Sequence, residues 1–113
     1  MIFIDKKLMS VGTTLMVLKL LKEKDMYGYQ IIKELEEQSE QVFSLKEGTL
    51  YPILHNLEVQ GAIESYEHVA DNKRIRKYYK ITKIGRNTLE EKIKEWQLYQ
   101  KGINKVLGGA IIA

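Results

Sequence analysis

Apolar residues recur at helical spacing through the first half of the chain, and this periodicity predicts three helices, over residues 5–24, 26–38 and 44–61. Asp5 is expected to cap the first helix, which is apolar on two sides and should therefore contact both its own core and a second subunit. The third helix is predicted to begin with a capping box at residues 44–47. Pro52 conflicts with this start, so either the regular helix begins later than the box implies or its first turns are irregular.

In the second half of the chain the pattern of apolar residues changes. It first predicts a hairpin and then one long amphipathic helix. Residues 63–69 and 73–81 are predicted to form two strands, because Asp71-Asn72 between them favours a tight turn. A final helix should run from Thr82 to about residue 107, with an apolar stripe close to a heptad pattern. This stripe predicts a dimer interface formed by Leu89, Ile93, Trp96, Ile103, Val106 and Leu107.

The order of these elements predicts a mainly α (α+β) fold, a winged helix-turn-helix with a long C-terminal dimerisation helix. Residues 1–82 would form the DNA-binding domain and residues 83–113 the dimerisation helix, and the two would make one compact unit. In this fold the third helix enters the major groove of DNA, and the hairpin is a wing that lies along the phosphates.

The second strand of the hairpin is strongly basic, with five basic side chains and two tyrosines in residues 73–80. Strand alternation places Arg74 and Arg76 on one face and Lys77 on the opposite, apolar face. The charge alone would also fit a solvated edge strand, but the predicted fold favours phosphate contact. For Tyr51 on the third helix, a half-buried core ring is an alternative to DNA contact. The predicted DNA contacts are Lys46, Thr49, Tyr51, His55, Lys73, Arg74, Arg76 and Lys77.

Composition restricts the class of function. The chain has 113 residues, a net charge of +3 and a pI near 9.0, which fit one mildly basic domain. It contains no cysteine and no apolar run of the roughly 18 residues that span a membrane, so a cytoplasmic protein is expected. His55 and His68 belong to no cluster with metal-ligand spacing, and no nucleophile–base pair is evident. We therefore expect no metal, no cofactor and no enzyme activity.

Four short motifs stand in order along the chain: Tyr-Gly-Tyr-Gln-Ile at 27–31, Gly-Thr-Leu-Tyr-Pro-Ile-Leu at 48–54, Leu-Glu at 57–58 with Gly-Ala-Ile at 61–63, and Arg-Lys-Tyr-Tyr-Lys-Ile-Thr at 76–82 with Gly85. Over about residues 8–107 the chain resembles the PadR family of bacterial transcriptional regulators. The single C-terminal helix is similar to the small PadR subfamily, whose members form two-fold dimers. Two positions depart from the family pattern: Lys73 precedes Arg74 where wings usually carry glycine, and His55-Asn56 replaces a common basic residue.

Trp96 is the only tryptophan, and its place on the apolar stripe favours an anchor of the dimer interface. The resemblance implies a second role, because some members of the small subfamily bind planar drugs between paired tryptophans. In that case the candidate walls of the ligand site, besides Trp96, are Leu8, Val11, Leu15, Ile93 and Tyr99.

The leading interpretation is a homodimeric regulator, expected to be a repressor, that binds double-stranded operator DNA and responds to a planar aromatic ligand. Two alternatives stay open. One is a winged-helix protein-interaction module whose basic wing meets an acidic protein, and the other is a DNA-binding regulator without a small ligand. A steep decrease of duplex affinity with salt would favour DNA over the protein partner.

Overall fold

The computed structural model describes residues 4–108. Its elements, in chain order, are α1 (Lys6–Glu23), β1 (Met26–Tyr27), α2 (Gly28–Gln38), α3 (Glu47–Val59), β2 (Ile63–Val69), β3 (Ile75–Ile81) and α4 (Lys83–Val106). The three strands form one antiparallel sheet in the order β1-β3-β2. The predicted α+β fold, with three helices, a hairpin and a long helix, is confirmed.

The core lies between the helices and the inner face of the sheet. Leu18 of α1, Ile31 of α2 and Leu54 of α3 are fully buried there, because the apolar side of each helix turns inward. Tyr79 of β3 is 3 % exposed, so its predicted core position is confirmed. The predicted cap is also present, since the Asp5 carboxylate accepts a hydrogen bond from the Lys7 amide at 2.7 Å.

A short strand, β1, replaces the predicted start of the second helix. Met26 pairs with Tyr79 and Tyr27 with Tyr78, so this two-residue segment adds a third strand to the hairpin. The prediction of a helix from residue 26 is wrong at this end, because α2 begins only at Gly28. A strand of two residues is as short as one alternation period and therefore leaves no periodic signal.

The third helix also begins differently from its prediction. Lys46 is the N-cap of α3, without a side-chain hydrogen bond, and the capping box at residues 44–47 is not formed. The Ser44 hydroxyl instead donates to a carboxylate oxygen of Glu36 at 3.1 Å. The helix therefore starts two residues later than the box implies, but Pro52 still lies inside it, at the sixth position, where the proline has no N–H to donate.

The wing is a hairpin with a three-residue loop. The Lys73 amide donates to the Ala70 carbonyl at 2.8 Å, and the Ala70 amide donates to the Arg74 carbonyl at 2.8 Å. Lys73 closes the turn in the left-handed region, with φ of 62°, a conformation that glycine adopts at less cost. Strand β3 consequently starts at Ile75, two residues later than predicted.

The beginning of α4 is joined to the corner between α3 and β2 by two hydrogen bonds and by a close approach of the two backbones. The Thr82 hydroxyl donates to the Gly61 carbonyl at 2.6 Å, and the Thr82 amide donates to the Ala62 carbonyl at 3.0 Å. One turn later, a Cβ at Gly85 would overlap the Ala62 carbonyl oxygen. Leu89 follows in the core at 1 % exposure, so residues 4–82 and α4 share one core.

Replacing Gly85 with alanine should destabilise the fold by about 3 kcal/mol, because the new methyl group can be placed only by moving the backbone. The free energy of unfolding is measured by urea denaturation. Gly48→Ala is the matched control, since a Cβ there meets no atom within 4 Å, and it should stabilise α3 by about 0.5–1 kcal/mol. Equal stability of the Gly85→Ala variant and the unchanged protein would mean that α4 is not in close contact with this corner.

Candidate nucleic-acid interface

A groove of about 480 Å³ separates the wing from the facing ends of α2 and α3. Its polar walls contain the three wing residues Arg74, Arg76 and Lys77, and Glu47 lies at the first position of α3. Tyrosines provide most of the remaining wall, at positions 27, 29 and 51. The groove thus brings three of the four predicted wing contacts together with Tyr51 of the predicted recognition helix, whereas Lys73 at the tip of the wing does not line it.

The outer face of α3 carries the four predicted contacts on this helix. Lys46, Thr49, Tyr51 and His55 are all exposed, whereas Leu50 on the opposite side is fully buried. Their exposure agrees with the predicted orientation of the helix, and their roles in DNA binding stay predictions.

Tyr51 packs on the protein without being buried in the core, and its contact with DNA stays a prediction. Its ring packs across Gly28, where an added Cβ would lie 2.9 Å from the ring carbon Cζ and 2.5 Å from the hydroxyl oxygen. The residue nevertheless remains 44 % exposed and lines the groove. A side chain at position 28 would therefore overlap the Tyr51 ring at the first turn of α2.

The wing arginines and Lys77 differ in their surroundings. Arg74 is exposed, whereas Arg76 is half-buried, with its guanidinium carbon 4.3 Å from the centre of the Tyr27 ring. Lys77 borders the groove as well, but its ammonium nitrogen lies 3.7 Å from a carboxylate oxygen of Glu58. Because an internal carboxylate already faces Lys77, its predicted DNA contact is the weakest of the wing.

An aromatic cluster on the outer face of the sheet was not predicted as part of the site. The rings of Tyr66 and Tyr78 are stacked with centres 5.8 Å apart, and Tyr27 and His68 each meet Tyr78 edge-on at 5.4 Å. The Tyr66 hydroxyl donates to Asp25 at 2.7 Å, and this hydrogen bond is the main cause that raises the pKa of Tyr66 to about 12. Alternation places Tyr78 beside Arg76, but Tyr27 could not be placed without β1.

Three of the six predicted ligand residues meet in one hollow beside α4. Trp96 and Tyr99 are stacked at 5.8 Å, and with Leu15 of α1 they line a hollow of about 210 Å³. Ile93 packs against the core beside them, and Leu8 is 52 % exposed. The side chain of residue 11, the remaining predicted wall, lies outside the described part of the chain.

The predicted dimerisation stripe divides into two parts. Leu89 is wholly buried in the protomer core, so its assignment to a dimer interface is wrong. Farther along α4, Ile103, Val106 and Leu107 are exposed as predicted, and Leu98, which the prediction omitted, is 73 % exposed. Leu89 and the later residues of the stripe follow the same helical spacing. This spacing alone therefore does not show whether a residue packs on its own protomer or on a partner.

Within residues 4–108, no helix is both long and apolar enough to cross a membrane. The same residues contain no group of three His, Cys, Asp or Glu side chains that could hold a metal ion.

The helix-turn-helix formed by α2 and α3, followed by a basic two-stranded wing, defines a winged-helix regulator of transcription. Residues 17–91 match the model of the transcriptional regulator PadR-like family. A transcriptional regulator from Mycobacterium tuberculosis H37Rv is 32% identical over 87 residues, which cover 77% of this chain and 75% of that protein. The chain therefore belongs to the PadR-like family of transcriptional regulators, which are not enzymes.

Solved structures agree with this assignment. A transcriptional regulator from Clostridium thermocellum has a TM-score of 0.82 and 36% identity, over 88% of this chain and 97% of that chain. A PadR family regulator from Clostridium difficile R20291 has a TM-score of 0.74 and 35% identity, over 86% of this chain and 99% of that chain.

The tip of the wing offers a test that separates backbone strain from charge. Lys73→Gly should raise the free energy of unfolding by about 0.5–1 kcal/mol, because glycine adopts the positive φ of this turn without a Cβ clash. The same change removes one positive charge and should weaken binding to duplex DNA.

Lys73→Ala is the control, because it removes the charge and keeps the Cβ. It should weaken DNA binding to the same extent without the gain in stability, as measured by urea denaturation. Equal stabilisation by both substitutions would show that the left-handed turn is not the source of the effect.

Proposed function

We propose that this PadR-family regulator binds double-stranded operator DNA as a two-fold dimer and represses transcription, with an operator affinity that a planar aromatic molecule modulates. The observation that carries the proposal is the groove in which Tyr51 of α3 faces the basic wing. Residues 1–82 would supply the DNA-binding part, and residues 83–113 the dimerisation helix.

The proposed docking places the N-terminal end of α3 in the major groove and the wing along the adjacent backbone. Lys46 and Thr49 lie at this end of α3 with exposed side chains, suited to phosphate or base-edge contacts. Lys73 and Arg74 are exposed at the wing, where positive charge neutralises phosphates and releases their counterions. Two copies related by two-fold symmetry would read half-sites about 10 bp apart, or a multiple of this spacing.

The apolar surface of α4 supports the proposed dimer. Val106 is 88 % exposed and Leu98 is 73 % exposed, on the part of α4 farthest along the chain. A mainly apolar groove of about 420 Å³ between α1, α2 and α4 provides a complementary surface. Its apolar walls are Leu15, Met16, Leu20, Leu35, Phe43 and Ile93.

The proposed ligand site is the hollow beside Trp96 and Tyr99. In a single protomer the hollow holds only about 210 Å³, but a two-fold partner would place a second tryptophan opposite the first. Two indoles that are separated by the thickness of one aromatic ring would stack on the two faces of a planar aromatic molecule. Each protomer would read DNA with its α3 and its wing, which together are called its DNA-reading head. The ligand regulates only if it binds more tightly to a dimer with one separation of the two DNA-reading heads than to a dimer with another.

The DNA-binding proposal is tested by the salt dependence of affinity. Arg74→Ala combined with Arg76→Ala should weaken binding to every duplex and make the slope of log K against log [salt] shallower by about 0.9 for each phosphate that the variant no longer neutralises. Fluorescence anisotropy with a labelled duplex at several salt concentrations measures both quantities.

The control pair, Lys94→Ala with Lys101→Ala, removes the same charge from exposed positions of α4, outside the groove. It should change the slope much less. If the arginine pair leaves affinity and slope unchanged, the wing does not contact DNA, and the protein-interaction module becomes the better account.

The ligand proposal is tested by titrating a planar aromatic dye and following the fluorescence of Trp96, the only tryptophan in the chain. Stacking of one ring between two indoles should contribute about 1–3 kcal/mol, so Trp96→Ala should weaken dye binding, followed by dye fluorescence, about five-fold or more. Saturating dye should also alter the affinity for DNA. Unchanged dye affinity in the variant, or unchanged DNA affinity with dye bound, would leave a DNA-binding regulator without this ligand.

A further inference from the structure

We propose that the two wing arginines have different tasks, with Arg76 held in advance by the Tyr27 ring as an oriented phosphate contact and Arg74 acting through its charge alone. Tyr27 is then a positioning residue of the DNA interface. This inference rests on the proposed DNA-binding function, and it assigns a role to a tyrosine that periodicity alone does not connect with the wing.

The two arginines stand on the same face of the wing strand yet have different environments. Arg74 precedes β3 at the loop and is exposed, whereas Arg76 is half-buried inside the strand. The guanidinium carbon of Arg76 lies 4.3 Å from the centre of the Tyr27 ring. At this distance the cation is attracted by the face of the ring, so its side chain is restricted before DNA arrives.

Tyr27 is itself held in place, through both its backbone and its ring. Its backbone amide donates to the Gln30 side-chain oxygen at 3.1 Å, and its ring meets the edge of Tyr78 at 5.4 Å. Tyr78 in turn stacks on Tyr66, whose hydroxyl is bonded to Asp25 at 2.7 Å. The support beneath Arg76 therefore extends through three rings to a carboxylate at the junction of α1 and β1.

A guanidinium that stacks through its face keeps the N–H donors at its edge for a phosphate. Fixing a long side chain beforehand reduces the conformational entropy that binding removes, an effect of about two- to ten-fold in affinity for each side chain. A lysine keeps the charge but has neither the plane nor the fork of donors. Replacing each arginine with lysine, which conserves the charge, can therefore distinguish the tasks of the two arginines.

The first experiment compares Arg76→Lys with Arg74→Lys by anisotropy on one labelled duplex. Arg76→Lys should weaken binding by about five-fold or more for the dimer, with the salt slope unchanged because the charge is kept. Arg74→Lys, the matched control, should weaken it by only about two-fold. Equal effects of the two substitutions would overturn the inference.

The second experiment is a double-mutant cycle between Tyr27→Leu and Arg76→Lys. If the ring acts through the guanidinium, Tyr27→Leu should weaken binding about as much as Arg76→Lys does, and the two changes together should have little further effect. Tyr27→Phe retains the ring and should keep most of the affinity of the unchanged protein. Thermal melting of each variant identifies any decrease in affinity that comes from unfolding.

Fully additive effects in this cycle would overturn the positioning role of Tyr27 while leaving the wing as a DNA contact. Failure of the proposed function gives a different pattern, because the Arg74→Ala and Arg76→Ala pair would then leave both affinity and salt slope unchanged.

Discussion

The structure depends on a close backbone approach between the first turn of α4 and the corner that joins α3 to β2. Gly85 faces the carbonyl of Ala62 with no side chain between them, and Thr82 donates two hydrogen bonds to the same corner, one from its amide and one from its hydroxyl. Gly61 allows the corner, because it ends the helical segment at a φ of 76°. Contacts between backbones cannot be relaxed by a change of rotamer, so α4 is fixed to the domain that carries α3 and the wing.

This connection gives the proposed regulation a physical route. The proposed ligand site and the exposed apolar stripe lie along α4, and the same helix begins shortly after β3 ends at Ile81. A change in the angle between two α4 helices would therefore move both wings and both α3 helices, without rearrangement inside either protomer. Interaction at Trp96 would then bias the distance between reading heads, which is the quantity that two half-sites on DNA select.

The periodicity of apolar residues predicts correctly those elements that are long enough to show the pattern more than once, as in α1, β2 and α4. It also predicts which face of α3 is exposed. It failed where the deciding interaction was short or tertiary. The two residues of β1 are too few for a pattern, and Ser44 bonds to Glu36 although its spacing to Glu47 is that of a cap. Leu89 has the spacing of the dimer stripe but packs on its own core. Tyr27 belongs to a family-like motif, and only its pairing with β3 places it beneath Arg76.

The central claim, that α4 joins two rigid reading heads into one dimer, is tested most directly by the distance between the two wings. The chain contains no cysteine, so Asp71→Cys, at the exposed wing tip, accepts one spin label in each protomer. Pulsed electron paramagnetic resonance should give a single inter-label distance in the free protein, and a different one when a planar aromatic dye is bound. Absence of dipolar coupling would contradict the dimer, and an unchanged distance with the dye bound would contradict the role of α4 in regulation.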